Sequence, residues 1–113
     1  MIILTKVIRP VDYKIEKIVY VDYTSMVIEV DPGVYEEVDL GQSFDTTVVD
    51  LDDNFIVIDD YTVVNKAYVR CIIPSLSPNT NKVIMATGKS LATNMGKWEF
   101  ERRMDERNNQ KKS

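Results

Sequence analysis

The chain has 113 residues, 44% of them apolar and 28% charged, and a formal net charge of −4. That describes one domain of ordinary size, too apolar for disorder and without the run of roughly 20 apolar residues that a membrane helix needs. Histidine is absent and cysteine occurs once, at Cys71, which removes the commonest general base, the commonest zinc ligand and any internal disulfide.

The kind of apolar residue is more informative than the amount. Val and Ile number 26 against five Leu and three Ala, with six Tyr and eight Thr besides. Such side chains lose rotamer freedom on a helix and pack well on a pleated sheet, so a β-rich fold is expected. Lys6 lies inside the opening apolar run Met1–Ile8, which argues against a secretory signal. With its lone cysteine the chain is expected in the cytoplasm, or in a particle assembled there.

In chain order, residues 2–8 read as a first strand ended by Arg9-Pro10. Residues 13–21 read as a second strand whose pattern is interrupted at Lys17; a bulge, or cover on both faces of its far half, would account for that. Residues 25–30 return as a third strand and Asp31-Pro32-Gly33 makes a turn. Residues 34–42 are less regular. A meander follows, with strands over Phe44–Leu51, Phe55–Ile58 and Tyr61–Ile73 and tight turns at Asp52-Asp53-Asn54 and Asp59-Asp60.

The long strand Tyr61–Ile73 places Tyr61, Val63, Ala67, Val69, Cys71 and Ile73 on one apolar face broken only by Asn65. Its register predicts a buried, inert Cys71. Pro74–Asn81 is a loop dense in chain breakers, and Lys82–Thr87 a last strand. Ser90 is expected to cap a helix carrying Leu91, Met95 and Trp98 on one face. Glu99 and Arg103 then make an i, i+4 pair that supports helix over 97–107.

The expected fold is mainly antiparallel β, a six- to seven-stranded sandwich or partly open barrel with a C-terminal helix. The expected organisation is a body over 1–88, a helical segment over 89–107 and a frayed tail over 108–113, all within one domain.

Charge is distributed unevenly. Residues 18–65 contain no lysine or arginine and twelve carboxylates; the segments before, within and after this gap carry +2, −12 and +6. Asp31, Asp39, Asp52, Asp53, Asp59 and Asp60 fall at predicted turns, where aspartate bonds its own backbone. Together with Glu36, Glu37 and Asp50 they are expected to form a broad acidic surface.

Chemical motifs are weak. Asp50–Asn54 has oxygen side chains at the first, third and fifth positions of a calcium loop. Phe55 stands where that loop needs glycine, and Tyr61 where it needs its bidentate glutamate. No spacing singles out a carboxylate set for a metal-dependent nuclease. Thr87-Gly88-Lys89-Ser90 lacks the first glycine of a phosphate-binding loop. No catalytic, metal or cofactor residues are therefore assigned.

Apolar residues lie on opposing faces of the C-terminal helix, beside arginines. Trp98, Phe100, Arg102, Arg103, Met104 and Arg107 are accordingly expected to meet a partner, another protein or a further copy of the chain in a homo-oligomer. The functional expectation is a non-catalytic protein–protein interaction or assembly protein, a component of a larger, even viral, assembly. The acidic body would repel phosphate, so direct nucleic-acid binding is not expected, nor is a membrane. The alternatives are an acidic mimic of nucleic acid that inhibits a DNA- or RNA-binding protein, and a metal-dependent nuclease-like enzyme. No motif in the chain identifies a family.

Overall fold

A computed structural model describes residues 7–8, 14–75 and 80–111, with side chains over 14–75 and 80–106. The elements are β1 (Val7–Ile8), β2 (Ile18–Val21), β3 (Ser25–Asp31), β4 (Val34–Leu40), α1 (Phe44–Val49), β5 (Phe55–Asp59), β6 (Thr62–Asn65), β7 (Val69–Pro74), β8 (Asn81–Met85), β9 (Ser90–Thr93) and α2 (Lys97–Lys111). One sheet runs β1-β4-β3-β2-β6-β5, and a second, three-stranded sheet runs β7-β8-β9. Both are antiparallel apart from the two-residue β1, which pairs parallel with β4. The fold is thus mainly β, two sheets with a C-terminal helix and no closed barrel.

Two apolar clusters lie on opposite faces of the large sheet. Val19, Val27, Ile56, Ile58 and Val64 point toward the small sheet and meet its Ile72, Val83 and Met85, with Phe100 of α2 filling the same cluster. Ile18, Val21, Met26, Ile28, Val38 and Val63 point the other way and are covered by Phe44 and Val48 of α1. The order of layers is therefore α1, large sheet, small sheet with α2. All four residues of β2 are buried and its register with β3 shifts between Ile18 and Tyr20. The strand expected over 13–21 is shorter: Ile15–Lys17 is a 3-10 turn, which accounts for the interruption at Lys17, while cover on both faces accounts for the continuous burial of β2.

Four further expectations from sequence are corrected. Phe44–Val49 is a helix, because the Ser43 hydroxyl accepts from the Thr46 N–H at 3.2 Å and Asp45 sits in the first turn; this cap outweighs the β preference of Thr46–Val49. Ser90–Thr93 is a strand rather than the start of a helix. It is fixed by Thr93, whose hydroxyl donates to the Ile58 carbonyl at 2.6 Å and accepts from the Met95 N–H. The body therefore runs past residue 88, and α2 begins only at Lys97. The strand expected over 2–8 lies mostly outside the described residues, as does the middle of the loop over 74–81.

The fourth correction concerns the long strand. It is two strands separated by a single 3-10 turn, Lys66–Tyr68. Asn65, fully buried, drives the break: its side-chain oxygen accepts from the Ala67 N–H at 2.9 Å, and its amide donates to the Ile18 carbonyl at 2.7 Å. The chain thereby leaves the large sheet and enters the small one. Crossing the turn also shifts the strand's phase, so Cys71 faces solvent rather than core.

A second tie joins the sheets at the same corner. The Tyr68 hydroxyl donates to Glu29 Oε1 at 2.8 Å, the Gly33 N–H donates to Glu29 Oε2 at 3.1 Å, and Lys17 Nζ lies 3.6 Å from Glu29. Gly33 takes φ +73°, a conformation open to glycine at little cost. The Tyr68 hydrogen bond, followed by that from Gly33, holds the Glu29 carboxyl below the usual range. Burial, then the same carboxylate, pushes the Tyr68 phenol well above its ordinary value.

Two outcomes follow from these contacts. Asn65→Ala removes a cap and leaves the Ile18 carbonyl without its buried partner, so urea denaturation should show a loss of about 2–4 kcal/mol. A loss under about 1 kcal/mol would mean that water replaces the amide. Tyr68→Phe should raise the Glu29 pKa toward the free value of about 4.3, measured by carboxyl-carbon NMR. Because the folded pKa is depressed, Glu29 stabilises the fold above that value and the contribution is lost as pH falls through the folded one. The stability gap between native protein and Tyr68→Phe should therefore be present at neutral pH and narrow below about pH 4.

Candidate nucleic-acid interface

From Tyr61 to Trp98 the chain contains no carboxylate and five bases, Lys66, Arg70, Lys82, Lys89 and Lys97. This stretch mirrors the base-free residues 18–65, and the turn at Asn65 sends the two into different layers. The small sheet alternates in rows. Ile72, Val83 and Leu91 pair across it, as do Pro74, Asn81 and Thr93, and these rows hold the buried Ile72, Val83 and Thr93. The intervening rows, Cys71–Ile84–Ser90 and Ile73–Lys82–Ala92, make the outer face.

Lys82 stands on the middle strand of that face. Lys89 stands in the β8–β9 turn, where the Met85 N–H donates to its carbonyl at 2.9 Å, and Arg70 lies on β7 at the register shift between Val69 and Cys71. Gly88 makes the β8–β9 turn with φ +90°, so Thr87–Ser90 is a hairpin and not a phosphate loop. Arg70, Lys82, Lys89 and Lys97 form no ion pair with any described carboxylate. Beside β7 a groove of about 390 Å³ is lined by Arg70, Cys71, Lys97, Phe100 and Met104, with Glu101 and Asp105 of α2 on its far wall.

The residues expected to meet a partner separate on α2. Phe100 is 1% exposed and belongs to the protein's own core, with Met104 packed behind it, whereas Trp98 is 75% exposed. The reason is the start of the helix at Lys97, which turns Phe100 and Met104 inward at i, i+4 and leaves Trp98 outside. Arg102 donates to both Glu99 oxygens, at 2.7 and 3.0 Å, and Arg103 donates to one at 3.3 Å. Glu99 is held below the usual carboxyl range, chiefly by the Arg102 hydrogen bond. Both arginines are thus already engaged. Arg107 lies on α2, its side chain outside the described set.

The acidic residues expected to form one surface lie on elements other than β7–β9. Asp31 ends β3, Glu36, Glu37 and Asp39 lie along β4, and Asp50 caps α1 while accepting from Gln42 at 2.8 Å. Asp52 accepts from the Asn54 N–H at 2.9 Å and Asp59 from the Asp60 N–H at 2.8 Å, the self-bonding expected of turn aspartates. Asp53 shares a polar cleft with Lys66 and Arg103. Among the described residues no three potential ligands converge on a metal position, and no helix is long and apolar enough to cross a membrane.

No protein-family model matches the sequence. No curated protein matches it either. The fold is similar to the LytTr DNA-binding domain of a response regulator from Bacillus cereus, with TM-score 0.56 and 16% identity over 80% of this chain and 82% of that one. At that identity the likeness speaks for the fold. It nonetheless runs against the functional expectation: the solved domain that shares this fold is a DNA-binding domain, not a protein–protein interaction, assembly or viral component. Nor does it favour a decoy or a nuclease-like enzyme.

The expectation that nucleic-acid binding is unfavourable falls with the others, because it treated the acidic body as one uniform repeller. The signal that could have found the candidate interface was the absence of acids between Asp60 and Glu99. With its register settled, Cys71 should react with a thiol reagent in the native protein about as readily as in urea; strong native protection would contradict the exposed face of β7.

Proposed function

We propose that this chain is a non-enzymatic DNA-binding module that meets the phosphate backbone with the outer face of β7–β9 and the adjoining groove between β7 and the start of α2, and acts in the cytoplasm. One observation carries the reading: in a fold like that of a DNA-binding domain, the strands that form one outer layer carry bases and no acid. Lysine and arginine on a surface bind phosphate by releasing condensed counterions, which needs no catalytic residue.

The overall charge of −4 does not oppose this. Even the shortest extent of the molecule, 28 Å, is well beyond the screening length of about 10 Å at 0.1 M salt. Carboxylates on the α1 side therefore act weakly on phosphate at the opposite face. Their effect is orientational: they disfavour approach from the acidic side and turn the basic layer toward the duplex.

Four contacts, from Arg70, Lys82, Lys89 and Lys97, imply that log K falls with log salt at a slope of about −3.6. Fluorescence anisotropy with a labelled duplex between 50 and 200 mM salt (about a fourfold range) measures it. Arg70→Ala/Lys82→Ala/Lys89→Ala should weaken binding roughly tenfold or more and flatten the slope by about 3. Binding that is absent at low salt, or that the triple variant leaves unchanged, would refute the reading.

A further inference from the structure

A second concavity lies away from the small sheet. The β2–β3 turn brings Tyr23, the start of α1 brings Phe44 and the β5–β6 turn brings Tyr61. The Tyr61 ring stands 4.6 Å from that of Tyr23 at 74° and 5.7 Å from that of Phe44 at 75°. Phe44 is buried and forms the floor, whereas Tyr23 and Tyr61 are 57% and 51% exposed. With Gln42, Ser43 and Asp45 they line a hollow of about 350 Å³.

Each ring has an aspartate as its chain neighbour: Asp22-Tyr23, Phe44-Asp45 and Asp60-Tyr61. Turn chemistry accounts for Asp22, whose side chain accepts from the Tyr23 N–H at 2.7 Å. Asp45, in the first turn of α1, also lines the hollow and has no hydrogen bond or ion pair with a described residue. No described lining residue is basic, and the segment supplying the hollow has no base at all.

We infer that this hollow binds a small organic cation of the quaternary-ammonium class. Aromatic faces attract a weakly hydrated cation through their quadrupoles, and nearby carboxylates add a charge term. A hydrated divalent metal is disfavoured because it requires several oxygen ligands at once, and no such group converges here. A phosphate or a nucleotide is disfavoured by the same carboxylates. The site shares no residue with the DNA surface and stands independently of that reading.

Choline tests it, with 3,3-dimethylbutan-1-ol as its neutral isostere and sodium chloride at matched ionic strength. Titration of the full 15N-labelled chain should show saturable NMR shifts at Tyr23, Phe44, Asp45 and Tyr61 with choline, in the millimolar range. The isostere should bind at least about tenfold more weakly. Asp45→Asn and Tyr61→Leu should each weaken choline by roughly five- to tenfold, with Tyr23→Leu, at a more exposed position, as the variant least able to disturb the fold. No saturable shift, shifts reproduced by sodium chloride, or equal binding of the isostere would overturn the inference.

Discussion

A single buried amide decides where the two halves of this chain go. Asn65 ends β6 inside the large sheet, bonds back to Ile18 on the neighbouring strand and caps the 3-10 turn that begins the small sheet. An uncompensated polar group at that depth would cost more than a typical hydrogen bond returns, so the amide is tolerable only with its partners in place. Those partners are the ones that turn the chain. Glu29 and Tyr68 brace the same corner from β3, and Thr93 ties the far edge of the small sheet to β5.

Because the turn falls between the base-free and acid-free stretches, it converts a charge asymmetry along the sequence into one across the fold. Residues 18–65, with the two-residue β1, build the large sheet and α1, and residues 69–93 build the small sheet. Neither composition alone implies a surface. The segregation arises from topology: the strands of each sheet come from one side of Asn65. Salt screening then lets the two faces act separately, so net charge is a poor guide to what this protein attracts.

Much of the fold was legible from residues. The β-branched composition, the alternation along β5 and the aspartate turns at Asp52 and Asp59 all correspond to observed elements. The failures have specific physical causes. Thr46–Val49 reads as strand by propensity, yet one hydroxyl at Ser43 makes it helical. Tyr61–Ile73 reads as one strand because its odd positions stay apolar across the 3-10 turn although the buried phase changes there, and only Asn65, a polar residue on that face, marks the break. Cys71 changed sides with it. Phe100 looked available to a partner because the helix was started too early, which rotated its apolar face. The candidate interface was missed for a different reason: a surface defined by absent acids has no motif to catch the eye.

The central claim is that duplex DNA meets the outer face of the small sheet. Mapping amide resonances of the labelled protein as a duplex is added addresses it residue by residue. The account predicts perturbation centred on Arg70, Lys82, Lys89 and Lys97, with β4 and α1 unaffected. Perturbation centred on Glu36–Asp39 or on α1, or none at all at low salt, would contradict it.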